Sequence, residues 1–156
     1  MIRLRAAPRL VMLLLAIVLA LASCVTAPKV ETPDGFAAYT DAEHPQALSP
    51  EGVAFSVRSV ANEPEQDLGF WADAMERHMV ESGYLQYHAD SFTAPAGPGR
   101  SFEWIAPVND EDWIYLTAIV VSGEQILIAE AAGPFELYEH HRAALQRALE
   151  TMALEE

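Results

Sequence analysis

Cysteine is almost missing from this chain. Of 156 residues Cys24 is the only one, so no internal disulfide can form. Cations are scarce as well: nine Lys and Arg residues stand against 23 Asp and Glu, a formal net charge of −14 at pH 7. Nucleic acid and anionic head groups are held by clusters of Lys and Arg. The few cations here are scattered, so neither is an expected ligand, and phosphate-bearing molecules are disfavoured for the same reason. Catalytic signatures are lacking too. There is no nucleophile elbow and no zinc-protease helix motif, and Ser91, Ser101 and Ser122 have no recognisable base nearby. Asn109 to Asp112 is acidic but lacks the glycine bend and the six or more oxygens of a calcium loop. These absences place a binding or assembly role ahead of an enzymatic one, and no cofactor is expected.

What is present begins at the N-terminus. Arg3, Arg5 and Arg9 precede thirteen uninterrupted apolar residues, Leu10 to Ala22. At about 1.5 Å per residue a helix of that run covers roughly 20 Å, short of the ~30 Å hydrocarbon core. A charged start, a short apolar stretch and small residues at its end form a secretory signal. Leu21-Ala22-Ser23-Cys24 closes it and resembles the bacterial lipobox. That resemblance implies cleavage before Cys24, diacylglycerol on its sulfur and a further acyl chain on its new amino group. A lone exported thiol is otherwise an odd leftover. Several chains on one residue give stable anchoring, since each buried CH₂ contributes about 0.8 kcal/mol. Val25, rather than Asp, follows the cysteine; by analogy with enteric bacteria this implies the outer membrane, facing the periplasm.

Three regions are therefore expected: a signal peptide over 1–23, a lipidated tether over 24–35 containing Pro28 and Pro33, and one globular domain over 36–156. Removing the signal takes three of the nine basic residues and none of the acidic ones, leaving six cations against 23 anions. A domain of this size buries roughly two-thirds of its unfolded surface, enough for a core without disulfides.

Within the domain, Val53, Phe55 and Val57 alternate with Ala54, Ser56 and Arg58, the period of a strand with one buried face. From Asp67, Leu68, Trp71, Ala72, Met75 and Met79 follow helical spacing, and Gly83 marks the stop. Tyr84 to Thr93 reads as a strand, Ala94 to Gly99 as a loop by composition, and Arg100 to Ala106 as a further strand. A turn through Pro107, Asn109 and Asp110 leads into Trp113 to Val121, whose nearly continuous apolar character suits a central strand covered on both faces. Ser122-Gly123-Glu124 makes a tight hairpin into a strand over Gln125 to Ala131. Pro134 opens a closing helix with Leu137, His141, Leu145, Ala148, Leu149 and Met152 on its apolar stripe. Consecutive strands joined by short turns imply an antiparallel sheet, with the two helices on its faces. The fold class is α/β of the α+β kind: an α/β/α sandwich with a central antiparallel sheet flanked by helices.

This order resembles the PsbP-like fold, named for an extrinsic photosystem II subunit and shared by a Ran-binding import factor and bacterial envelope lipoproteins. The matching residues are Gly83-Tyr84, Trp113 to Val121 and the closing stretch Phe135 to Met152. They are core and turn positions, so no functional residue carries over. The resemblance implies binding or assembly more often than catalysis: a lipid-anchored envelope protein with a protein partner.

Two surfaces stand out as candidate sites. The Ala94 to Gly99 loop, with Pro98 and Gly99, and Trp104 between Glu103 and Ile105, is the preferred docking place, with Trp104 partly exposed; Trp71 and Trp113 fit core positions. Glu136 and His140, four apart on the closing helix, can reach one ion from the same face, whereas His141 points into the core. Zinc needs three or four ligands, so a loop would have to supply another. This face is the alternative, a metal-dependent or small-ligand-binding protein or an enzyme.

Overall fold

A computed structural model describes residues 26–108 and 110–155. The signal peptide, Cys24 and Asn109 lie outside the described residues. In chain order the elements are β1 (Pro28–Lys29), β2 (Ala37–Ala38), β3 (Gln46–Leu48), β4 (Ala54–Ala61), α1 (Leu68–Glu81), β5 (Leu85–Ala94), β6 (Gly97–Val108), β7 (Glu111–Ser122), β8 (Gln125–Pro134), α2 (Phe135–Leu149) and β9 (Ala153–Leu154).

Alternation in the sequence becomes a seven-stranded sheet in the order β2-β3-β4-β8-β7-β6-β5, with every neighbouring pair antiparallel. β7 lies inside the sheet and is covered on both faces, as its apolar composition predicts: Ile114, Leu116, Ala118 and Val120 are buried toward one helix, Thr117 and Ile119 toward the other. Gly123 and Glu124 form the two-residue turn into β8, with Ser122 opposite Gln125 and Gly123 at φ +58°.

Each helix covers one face. The stripe of α1 sets Ala72, Met75 and Met79 on Phe102, Trp104, Ile119 and Ile126. The Asp67 carboxylate caps its start by accepting from the Phe70 amide at 2.9 Å, satisfying one of the free N–H groups there. Its end is closed by Gly83 at φ +89°, whose N–H donates to the Val80 carbonyl while that of Tyr84 donates to Met79. On the opposite face α2 packs Tyr138, Leu145, Ala148 and Leu149 on Val53, Phe55, Val57, Leu116 and Leu127. Full burial of one such aliphatic or aromatic side chain contributes about 1.5–3 kcal/mol, so these two layers dominate the folding energy. Pro134 stands as the cap of α2 and the last residue of β8, one place earlier than the sequence suggests.

Two expectations are corrected. Ala94 to Gly99 is not a loop: β5 and β6 run into it from both sides, leaving Pro95 and Ala96 as the only turn residues. The prolines and glycines that suggest a loop sit on an edge hairpin instead, where missing N–H groups and small side chains are tolerated. Residues 24–35 are not a free tether from Thr26 onward. Pro28 and Lys29 pair with Leu154 and Ala153, Pro33 is buried, and Val30 packs against the core beneath α2. The short strands β1, β2, β3 and β9 carry too few residues for any period to register in sequence.

Candidate functional site

α1 leaves part of its face bare. It packs mainly on β5, β6 and β7 and reaches Ile126 near the start of β8, while farther along β4 and β8 the sheet is floored by small residues, Ala54, Ser56 and Ala132, over which no helix among the described residues sits. The result is an open cleft of about 390 Å³, walled by Tyr39, His44, Leu48 and Tyr115 with Glu130 in its floor. Convergent polar groups in a partly apolar hollow of this size are the usual form of a ligand site. A second, more apolar hollow of about 550 Å³ lies beside it, past Tyr39 and Leu48 toward Phe36 and Pro50.

Cross-strand register assembles the polar floor. Glu130 lies opposite Ser56 on β4 and Thr117 on β7, and Tyr115 lies opposite Ala132, one pleat along. The Tyr115 hydroxyl donates to Glu130 Oε1 at 2.5 Å, and Arg58 Nε stands 3.5 Å from Oε2. Burial raises the Tyr115 pKa and the hydrogen bond to Glu130 raises it further. The phenol therefore stays protonated and keeps donating. Tyr84, just past α1, brings its ring to 6.1 Å from that of Tyr115. At the other wall the His44 and Gln46 side chains meet at 3.2 Å. The cleft offers a carboxylate with one oxygen shared with a phenol, a nearby guanidinium and aromatic walls. This arrangement suits hydrogen bonding and cation recognition; no nucleophile is paired with a base in it.

The α2 face holds a different polar assembly, and it is closed. Glu103, buried on β6, accepts from Tyr138 at 2.9 Å and from Arg142 through both its oxygens, at 3.1 and 2.6 Å. Arg142 also reaches Glu139 at 2.6 Å, and its guanidinium lies over the rings of Tyr87 and Tyr138. Burial, then the Glu103 charge, drives the Tyr138 pKa up. For Arg142 burial works toward loss of the proton, but the charge and hydrogen bond of Glu103 prevail and hold its pKa above the ordinary value. A bidentate fork over two aromatic rings has its charge compensated within the protein; it fastens α2 to β6. Nearer the start of the domain, buried His141 bonds Glu51 at 3.0 Å and packs edge-on against Phe36. That bond, together with the backbone and Ser49, holds the Glu51 carboxyl below its usual range.

The residues singled out in the sequence fall elsewhere. Trp104 is fully buried, stacked on Phe102 beneath α1 with its indole N–H on Thr117 Oγ1 at 2.9 Å, so its expected exposure is corrected. Glu103 suggests a solvated strand face, but inside the fold Arg142 compensates its charge and Tyr138 donates a hydrogen bond to it, and both faces of β6 are covered. Gly99 is buried under the ring of Phe92, its cross-strand partner; only Pro98 reaches the surface. Trp71 and Trp113 are half-buried, Trp71 donating to Asn62 Oδ1 at 2.7 Å. Glu136 and His140 are both exposed, and among the described residues no three His, Cys, Asp or Glu side chains come together as a metal site would require. The cleft residues are missed by the sequence reading, although Glu130, a lone carboxylate inside the apolar run of β8, is the available signal.

No protein-family model matches the sequence, and neither does any curated protein. Solved structures do. LpqN of Mycobacterium tuberculosis, involved in cell envelope biogenesis, superposes with a TM-score of 0.59 at 10% identity over 84% of this chain and 86% of its own. The cyanobacterial PsbP of Synechocystis gives 0.58 at 11% identity, covering 87% and 99%. The Ran-binding protein Mog1p of Saccharomyces cerevisiae gives 0.56 at 12% identity, covering 82% and 90%. The chain has the PsbP-like fold. At these identities the likeness establishes the fold alone, and the expected α/β/α sandwich with its antiparallel sheet is what the molecule adopts. No helix among the described residues is long and apolar enough to cross a membrane.

Proposed function

We propose that this chain is a lipid-anchored protein of the cell envelope, attached through Cys24 to the outer membrane on its periplasmic side. It binds a protein partner in the cleft without catalysing a reaction. The observation that carries the binding role is the uncovered half of the α1 face, where Tyr39, Tyr115 and Glu130 converge over a floor of small side chains. A partly apolar surface left open beside a helix is the form an interaction site takes. The carboxylate and the net charge of −14 favour an occupant bearing an amine, a guanidinium or hydroxyl donors, such as a basic loop. The anchor is supported by Leu21-Ala22-Ser23-Cys24 after the short apolar run. The same fold occurs in a protein of envelope biogenesis and in a Ran-binding protein, which is compatible with a protein partner.

The test is site-specific photo-crosslinking in cells, with the reactive residue at Ser56 in the cleft and, as control, at Asp73 on the exposed side of α1. A discrete adduct from Ser56 only, lost with Glu130→Ala, is the expected result. Equal adducts from both positions, or none from Ser56, would overturn the cleft as the binding site. Fractionation of Cys24→Ala reads the anchor separately: the protein is expected to leave the membrane fraction.

A further inference from the structure

From Thr26 onward the lead-in to the domain is fastened at nearly every step. The Ser59 hydroxyl donates to the Thr26 carbonyl at 2.7 Å, and the Glu155 amide donates to that of Ala27 at 3.0 Å. Pro28 and Lys29 then pair with Leu154 and Ala153, and the Glu31 amide donates to Thr151 Oγ1 at 3.0 Å. Asp34 meets Arg147 at 3.0 Å. Only Val25 separates Cys24 from this bonded run. Two peptide units span at most about 7 Å between the Cα atoms of Cys24 and Thr26.

The bonds of Thr26 and Ala27 also choose an end of the molecule. Ser59 lies near the end of β4 where Ala61 pairs with Gln125, beside the Gly123–Glu124 turn. The Asn62 side chain donates to Gly123 and to Gln66, which brings the start of α1 to the same end. The Pro95–Ala96 turn joins them, since the Ala96 amide donates to Met152, just before β9. The opposite end carries the β6–β7 turn, the close of α1 and the start of β5. There the large exposed apolar side chains Val80, Leu85, Tyr87 and Val108 gather.

We infer that residues 26–34 form a strap that seats the domain directly on the bilayer, with the Gly123–Glu124 end against the lipid surface and the Val80, Leu85 and Val108 end turned away. This rests on the reading of Cys24 as the lipidated residue. The near end is rich in exposed acid, including Glu63, Glu65, Asp67 and Glu124. Its own attraction for anionic head groups is therefore unfavourable, and the covalent strap rather than surface affinity sets the orientation. The partner must accordingly reach the domain at its own membrane, from the side facing away from it.

The experiment uses the full acylated protein in vesicles of phosphatidylethanolamine and phosphatidylglycerol carrying a quencher on the head groups. A fluorophore is placed on Glu124→Cys or, at the far end, on Glu111→Cys; acylation leaves each new thiol unique. Quenching several-fold stronger at position 124 is expected. A Gly-Ser insert of about twelve residues between Val25 and Thr26 adds roughly 20 Å of free reach and is expected to erase the difference. Uniform quenching at both positions, or a difference that survives the insert, would overturn the strap. Intact mass is read first: an unacylated chain overturns the Cys24 assignment and the seating with it, whereas an acylated chain with uniform quenching overturns the strap alone.

Discussion

On the α2 face a helix spans the strands that flank β7, and its one buried carboxylate is tied off by Tyr138 and Arg142. On the α1 face the helix stops short, and the carboxylate there, Glu130, stands in an open cleft with one tyrosine and a loosely placed arginine. The two groups share a chemistry and differ in closure. Glu103 has spent its hydrogen-bonding capacity on fastening a helix, whereas Glu130 retains capacity for something outside the fold. A buried charge with all its partners is architecture; a half-exposed one beside small residues is an opening.

The contrast breaks most visibly at Arg142. Arg142→Ala leaves Glu103 buried with its charge uncompensated, a loss of about 3 kcal/mol. That is the lower end for buried pairs, because Arg142 keeps 25% of its side chain exposed. Urea unfolding is expected to show the shift in midpoint, and Glu103→Leu combined with Arg142→Met should recover most of it, since removing both charges also removes the penalty. Next in size is Gly99→Ala. The added Cβ would stand 2.4 Å from Cζ of Phe92, so the ring must leave its place over β6, at a cost of about 2 kcal/mol. In a Phe92→Ala background the same change should cost far less, and a double-mutant cycle measures the difference.

Much of this architecture is legible in the sequence, and the exceptions share a cause. Period finds β4, β7 and both helices because each has one sustained rule: alternation in Val53 to Val57, continuous burial in Trp113 to Val121, and a helical stripe from Leu68 to Met79. It also places a strand at Arg100 to Ala106, within β6, but misjudges exposure there: Glu103 is buried by two residues of a distant helix, and Trp104 is buried beneath the other helix rather than partly exposed. The cleft is invisible for a related reason. Tyr39, Ser56, Tyr115 and Glu130 come from four strand regions, and nothing local in any of them says where α1 ends. Only their meeting makes a site. The short strands β1 and β9 are hidden because two residues cannot show a period, which is why Pro28 and Lys29 read as tether.

Substitutions in the cleft sharpen the comparison from the other side. Tyr115→Phe removes one half-exposed hydrogen bond and is expected to change stability by about 1 kcal/mol or less, well under the loss at Arg142. Its effect on partner capture should be large, because the phenol that orients Glu130 is gone. Unfolding curves and the Ser56 adduct, measured on the same variant, separate the two effects. A stability loss matching that of Arg142→Ala would make the Glu130 group a second fastening rather than an opening.

The smallest expected effect is one of pH, at the pair that closes the α2 face near the start of the domain. His141 bonds Glu51, and this bond is the largest reason the Glu51 pKa lies below its ordinary value of 4.5. A carboxyl whose folded pKa is depressed adds stability above the unfolded value and loses it as pH falls through the folded one. Glu51 is solvent-exposed, so the contribution is screened and modest. Comparing wild type with Glu51→Gln by thermal unfolding, the gap in Tm is expected near neutral pH, to shrink as pH falls below about 4.5 and to close in stronger acid. A gap that stays constant with pH would mean that Glu51 supports the Phe36 and His141 packing through shape and neutral hydrogen bonding. This part of the α2 face would then rest on fit, in contrast to the Glu103 and Arg142 pair, where charge decides.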